Sequence, residues 1–455
     1  MTQGNIANEG SRNITSNRFE MRDFISTMPN EIIGNILSRL TMKEAGRTSV
    51  LSTTWRYQWT HFSGVVDFDH SLRSYVLRRL HVGLLTKCIF FVSEWEKFMA
   101  RLEHVMKSLK CPSMQGLRVC MDLGNPRKLP EWLKFASERN VQVLDLDFTY
   151  HFTEPFYGIS DNIRNVLSSK KFEMKSLRVL RLACVDVNGE VLQCFLATCP
   201  LLETIRVTES TRLVRLKVWG QGLRLKHLEL VECNILYLDI CAENLMTFRY
   251  SGDYGKFNFE SVPSLEEASF GGRYASYLQA NMHDEDFFGV LLQVHVLKLN
   301  LSTYTVGVIE GLPVFDNVRQ LELQIPHICG ADLGRPVSVL SAFPSICMLK
   351  IKFMRSNLVD VEHEWKANLK QEYPKLRELE VSGYRRDPSQ IELLISIFAK
   401  APNLNRILVD PLSSYYADRS PDVKARVRNT RRDSTLWLVD ALKPHVPPSV
   451  ELIVL

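Results

Sequence analysis

His363 stands between Glu362 and Glu364, a trio that would move protons if a cleft enclosed it. Its surroundings are polar, and solvation is the ordinary fate of such a stretch. Gly255-Lys256 carries the end of a phosphate-binding loop, but Phe257 follows where a hydroxyl residue is needed and the upstream glycine is missing. Neither a G-x-S-x-G nucleophile elbow nor an H-E-x-x-H zinc motif occurs. The ten cysteines, at Cys88, Cys111, Cys120, Cys184, Cys194, Cys199, Cys233, Cys241, Cys329 and Cys347, form no C-x-x-C pair and no Cys/His cluster at zinc spacing. They read as reduced, mostly buried thiols of a cytosolic or nuclear protein. In the basic run Lys424, Arg426, Arg428, Arg431 and Arg432, the field is diluted by Asp418, Asp422 and Asp433, which points to a solvated loop. These residues offer no catalytic centre, no metal site and no cofactor loop, so the expectation is a chain that is not an enzyme and carries no cofactor.

With no chemistry of its own to position, such a chain works through its surfaces. At 455 residues it exceeds the ~250–300 at which one core stops growing, so several domains or an elongated repeat array are expected. A composition of 45% hydrophobic and 24% charged residues is that of a folding chain. The net charge of +5 is too dilute for the concentrated positive field of a nucleic-acid binder. Met1 to Asn17 are polar, without the apolar core of a secretory signal, and residues 1–20 read as a disordered tail. No stretch reaches the ~18 apolar residues of a membrane span, so no membrane partner is expected and the sequons at Asn13 and Asn300 carry no weight.

Pro29 suits the first position of a helix, where its missing N–H costs nothing. Ile32, Ile33, Ile36, Leu37 and Leu40 then recur at three-to-four-residue spacing and form one stripe, with Glu31, Asn35, Ser38 and Arg39 off it. Thr41 and Glu44 have capping-box spacing, which predicts a second helix from Met42 to about Leu51. Ser52 or Thr53 would cap a third, short helix loaded with Trp55, Tyr57 and Trp59, aromatics of the kind that anchor interfaces. Three short helices in roughly 40 residues bury too little surface to be stable alone, so part of the stripe packs on the rest of the chain or on a partner.

The runs Asp23-Phe24-Ile25-Ser26-Thr27-Met28-Pro29-Asn30-Glu31-Ile32-Ile33, Ile36-Leu37-Ser38-Arg39-Leu40, Lys43 to Ser52 and Trp55-Arg56-Tyr57-Gln58-Trp59 resemble the F-box of plant F-box/FBD/LRR proteins. The departures are Met28 for Leu, Thr41 for Pro, Thr53-Thr54 for basic residues and Gln58 for Leu. Gln58 is the one with a cost, since a buried amide without a partner loses roughly 1 to 3 kcal/mol. The resemblance implies docking on a Skp-type adaptor, and through it on a cullin, by Pro29, Ile32, Ile36, Leu37, Leu40, Ala45, Val50, Leu51, Trp55 and Trp59.

Past residue 110 the spacing L-x-x-L-x-L takes over, clearest at Leu177/Leu180/Leu182, Leu202/Ile205/Val207, Leu225/Leu228/Leu230, Val318/Leu321/Leu323, Ile346/Leu349/Ile351 and Leu376/Leu379/Val381. Starting points roughly 20 to 30 residues apart are the period of leucine-rich repeats, each unit giving one strand to a parallel curved sheet. Between Leu202 and Leu265 the triplets Leu213/Leu216/Val218 and Ile235/Leu238/Ile240 halve the spacing and read as return strands, while Gly189 to Thr198 leaves room for a helix. Tyr373 to Pro411 resembles the FBD module, with a strand at Leu376 to Ser382 and, after Asp387-Pro388, a helix carrying Ile391, Leu394, Ile395 and Phe398.

The expected fold class is thus α/β, a short three-helix F-box followed by a leucine-rich-repeat solenoid. Its parts are a tail at 1–20, F-box at 21–62, connection at 63–110, repeats at 111–372, FBD-like module at 373–411 and extension at 412–455. Strand alternation turns the residue between the last two apolar positions of each unit toward solvent. These positions read Arg181, Arg206, Glu229, Arg249, Ser269, Lys298, Glu322, Lys350, Glu380 and Leu408. Solenoids use such faces for extended binding, and Arg181, Arg206 and Arg249 suggest an acidic segment of an unidentified protein substrate. The function expected is substrate recognition in a ubiquitin ligase of the Skp-cullin-F-box type; the alternative is a non-degradative scaffold on the same adaptor.

Overall fold

In the computed structural model, residues 27–69, 84–121, 129–148, 174–185, 187–275, 278, 285–301, 312–327, 339–355, 369, 371–384, 388–412 and 421–455 are described. The expectations for residues 1–20, Asp23 to Ser26, Cys329, the Glu362-His363-Glu364 trio, Asp387 and Asp418 lie outside them. Two units are distinguished, Met1–Gly64 with Leu109–Cys111, and Val65–Ser108 with Pro112–Leu455.

In the first unit, α1 (Asn30–Ser38) follows Pro29, and α2 (Met42–Arg47) starts in a complete capping box. The Glu44 N–H donates to Thr41 Oγ1 at 3.3 Å, and the Thr41 N–H donates to Glu44 Oε2 at 2.8 Å. The second helix ends at Arg47 instead of running to Leu51, and Thr48–Val50 tightens into a 3-10 turn. Gly46 and the β-branched Thr48 and Val50 are poor α-formers, which explains the early stop. The third helix is likewise 3-10, Trp55–His61, with Ser52 Oγ accepting from the Trp55 N–H at 3.3 Å. Ile33, Leu37, Ala45, Trp55 and Phe62 are buried together as the small core. Gly64 closes it, because a Cβ there would stand 2.6 Å from Phe62 Cζ and 2.8 Å from the Ser38 carbonyl.

The second unit is built on parallel strands: β1 (Val65–Asp69), β2 (Gly116–Cys120), β3 (Val143–Asp147), β4 (Val179–Ala183), β5 (Thr204–Thr208), β6 (Arg215–Val218), β7 (His227–Cys233), β8 (Tyr237–Cys241), β9 (Thr247–Gly252), β10 (Lys256–Ser261), β11 (Glu267–Gly271), β12 (Val296–Asn300), β13 (Gln320–His327), β14 (Met348–Arg355), β15 (Glu378–Ser382), β16 (Arg406–Asp410) and β17 (Glu451–Val454). Fourteen of them form one sheet in chain order, and β6, β8 and β10 form a second, three-stranded sheet. The expected return strands are therefore β6 and β8, and β10 is a third, spelled with aromatics as Tyr254/Phe257/Phe259.

Repetition of one local pattern fixes the register. The Arg178 carbonyl accepts from the Glu203 and Thr204 N–H groups, the Glu203 carbonyl from Lys226 and His227, and the Lys226 carbonyl from Met246 and Thr247. Each rung thus enters its strand against the same atom of the rung before. The two inward positions of each strand then stack in rows, Leu180, Ile205, Leu228 and Phe248 in one and Leu182, Val207, Leu230 and Tyr250 in the other, all buried. Burying such a side chain contributes roughly 1.5 to 3 kcal/mol, but only when both neighbouring rungs are present to cover it. Between the two sheets lies an aromatic layer, with Phe248 and Phe259 edge to face at 5.3 Å and Tyr250 and Phe257 at 4.7 Å.

The main sheet takes in β1 from the segment read as a connection, β15 and β16 from the FBD-like segment, and β17 from the extension. The remaining α-helices among the described residues are α3 (Leu84–Ser108), α4 (Leu129–Glu138), α5 (Gly189–Thr198), α6 (Glu285–Gln293), α7 (Pro388–Lys400), α8 (Pro421–Thr430) and α9 (Arg432–Leu442). The predicted helix at Gly189 is α5, capped by the Asn188 side chain, which accepts from the Val191 N–H at 3.0 Å. Along α7 the buried face is Leu393, Leu394, Ile397 and Phe398, while Ile391 and Ile395 are half-buried.

Candidate docking and recognition surfaces

The first unit fills its own core and still leaves large apolar side chains in solvent. Val50 is 85% exposed, Leu51 62% and Tyr57 68%, and Ile32 and Ile36 are exposed on α1 beside the exposed Pro29. Soluble surfaces seldom gather this much apolar area unless something covers it. Of the ten positions expected at the adaptor, Pro29, Ile32, Ile36, Val50 and Leu51 face solvent, Leu40 and Trp59 are half-buried, and Leu37, Ala45 and Trp55 are inside. The stripe is split because Ile33 and Leu37 fall on the buried face of α1, while Ile32 and Ile36 fall beside it. Those three interior residues shape the surface without lying on it. Tyr57, one of the three aromatics noted in this helix but not among the ten, is more exposed than Leu51 and extends the patch. Gln58 is satisfied within the unit, its Nε2 donating to Asn30 Oδ1 at 2.9 Å.

On the main sheet the register brings one residue from every strand into a row, Asp67, Arg118, Asp145, Arg181, Arg206, Glu229 and Arg249, then Ser269, Lys298, Glu322, Lys350, Glu380, Leu408 and Ile453. Arg181, Arg206 and Arg249 are thus brought onto one face, with Glu229 between the last two. Neighbours pair across the strands. Arg118 lies 3.2 Å from Asp67 and 3.6 Å from Asp145, and Arg181 reaches Asp145 at 3.9 Å. Arg206 and Arg249 both hold Glu229, at 3.2 and 2.7 Å. Further along, Lys298 pairs with Glu267, Lys352 with Glu322 at 2.7 Å, and Lys350 with Glu380 at 2.7 Å.

Burial pushes the Asp145 carboxyl up, against the pull of Arg118 and Arg181. For Glu322 burial pushes the same way, but the Lys352 ammonium and the Gln324 amide outweigh it and hold the carboxyl below its ordinary range. The face is therefore a ladder of mutually neutralised charges, with the adjacent Arg181 and Arg206 held by acids on either side, and not a basic patch. Exposed pairs of this kind contribute about 0 to 1 kcal/mol each, so a charged partner can exchange with them at little cost.

The thiols behave as core side chains, with burial pushing Cys199 and Cys233 up to about 11. Among the described residues no group of three or more His, Cys, Asp and Glu is placed to hold a metal ion. Among them, too, no helix is long and apolar enough to cross a membrane. The basic run is not a loop but lies along α8 and the start of α9, where Arg428 is taken by Asp410 at 3.0 Å and Arg431 donates to the Pro411 carbonyl at 3.0 Å.

Comparison with known proteins identifies the two parts of the chain. Residues 120–455 match the family described as At1g61320/AtMIF1, LRR domain, and residues 25–64 match the F-box domain. The chain is 25% identical over 452 residues to the putative F-box/LRR-repeat protein At5g02930 of Arabidopsis thaliana, covering 91% of this chain and 86% of that one. It is 26% identical over 260 residues to the F-box/FBD/LRR-repeat protein At1g13570 of the same plant, covering 54% and 53%.

Proposed function

The chain belongs to the At1g61320/AtMIF1-type leucine-rich-repeat family and carries an F-box ahead of the repeats, and from that premise we propose that it is the substrate-recognition subunit of an SCF-type ubiquitin ligase. The F-box docks on a Skp-type adaptor and, through it, on a cullin. The repeats hold a protein substrate close to the ubiquitin-transfer machinery, which belongs to other subunits. Catalysis is then by proximity, since holding two reactants together replaces an encounter in solution.

One observation carries this reading: Val50, Leu51 and Tyr57 are exposed, with Ile32 and Ile36, on a unit whose own core is already filled. A surface of that kind is supported as an interface by its apolar character and by the F-box match. Substrate is assigned to the solvent side of the main sheet, with Arg181, Arg206 and Arg249 at its centre, where an acidic segment competes with Glu229 and Asp145 for the guanidinium groups. The test is co-purification from plant cells. Recovery of both adaptor and cullin supports the ligase, and repeated recovery of the adaptor without a cullin replaces it by a non-degradative scaffold.

A further inference from the structure

The turns that follow β6 and β8 line a cavity of about 570 Å³ that belongs to neither surface described above. Its lining residues include Trp219, which is 47% exposed, and the exposed Glu243. Gly220, Gly222 and Ala242 leave the space between them. Gly222 sits at φ +70°, a conformation that a residue with a Cβ adopts only at a cost, so the turn and the room it makes depend on glycine. The Asn244 amide donates to the Leu223 carbonyl at 2.6 Å and ties the two turns into one rim. No cation from the described residues is paired with Glu243, and Arg224, next along the chain, does not line the cavity.

An exposed tryptophan and an exposed carboxylate on one cavity suit a cation. The ring attracts positive charge through its quadrupole, and the carboxylate accepts charge-assisted hydrogen bonds. A guanidinium meets both demands at once, because its plane stacks on the ring while its edge donates to the oxygens, whereas an ammonium serves them only as a point charge. The cavity is larger than one side chain and open to solvent, so the group can enter from a polypeptide whose backbone stays outside. We propose that the Trp219–Glu243 cavity binds an arginine side chain presented by a partner protein. It is a second recognition point, separate from the charged row of the main sheet.

The probe is a fluorescein-labelled pentapeptide, Gly-Ala-Arg-Ala-Gly, titrated against the full-length chain by anisotropy, beside the same peptide with neutral, isosteric citrulline in place of arginine. The arginine peptide binds, and the citrulline peptide binds roughly tenfold more weakly. Trp219→Ala and Glu243→Gln each weaken the arginine peptide roughly three- to tenfold. Glu243→Gln is an exposed, isosteric change that leaves the fold intact, so the test stands even if Trp219→Ala does not fold. No binding, equal affinity for the two peptides, or an affinity untouched by Glu243→Gln would overturn the assignment.

Discussion

The Arg249 guanidinium lies 2.7 Å from the Glu229 carboxylate on the neighbouring strand, and Arg206 grips that carboxylate from the other side. One acid thus serves two of the three arginines assigned to substrate, and Asp145 serves the third. Reversing Arg181, Arg206 and Arg249 to Glu is expected to weaken substrate capture and leave adaptor binding intact. Each pair is exposed enough that its loss costs about 0 to 1 kcal/mol, so the triple variant stays folded. Unchanged substrate capture by the folded variant would move recognition to the carboxy-terminal rungs.

Glu322 is the most buried carboxylate of the row, and Lys352 is its counter-ion at 2.7 Å. Lys352→Met strands that charge, and we expect a loss of roughly 1 to 3 kcal/mol at neutral pH. The folded pKa of Glu322 lies below the ordinary 4.5, so its ion-pair stabilisation is complete above pH 4.5 and fades as pH falls through the folded value. Urea titrations at pH 7 and in acid should therefore show the gap between wild type and variant closing as the medium is acidified. A gap independent of pH contradicts the assignment.

Gly189 opens α5 against β6, and a Cβ there would lie 1.9 Å from the Arg215 carbonyl oxygen, a backbone atom that cannot swing away. Gly189→Ala should cost about 1 to 3 kcal/mol through overpacking. Gly289, exposed within α6, has nothing within 4 Å of the same position. Gly289→Ala should accordingly stabilise by roughly 0.5 to 1 kcal/mol. Opposite shifts in melting temperature are the expected result, and shifts of one sign would refute the packing argument.

The inner rungs were legible because each spells out three apolar positions and because those positions stack in register. The two edges were not. Ser63 and Ser449 stand where inner rungs have their first apolar residue, so β1 and β17 escape the pattern although they pair in the same sheet. A terminal rung has one neighbour only, and a position without a covering rung has less need of an apolar side chain. On the docking surface the spacing of Ile32, Ile36 and Leu37 showed a stripe, but not that Leu37 is buried while the two isoleucines stay exposed. That division is set by packing among three short elements, which periodicity within one of them does not contain. The charges of the row could be read one strand at a time, whereas the sharing of Glu229 by two arginines follows only from the strand order β5-β7-β9.

Adaptor docking by the exposed apolar patch of the F-box unit is the step on which every later one depends. The measurement is the affinity of the full-length chain for a purified Skp-type adaptor, compared with a chain lacking Asp23 to Trp59 and with the double variant Ile36→Asp, Leu51→Asp. The deletion should abolish binding while the repeat unit keeps its melting transition. The double variant, which alters exposed side chains, should weaken binding by roughly a hundredfold. Capture of the adaptor at full strength by the deleted chain would contradict the assignment of docking to this unit.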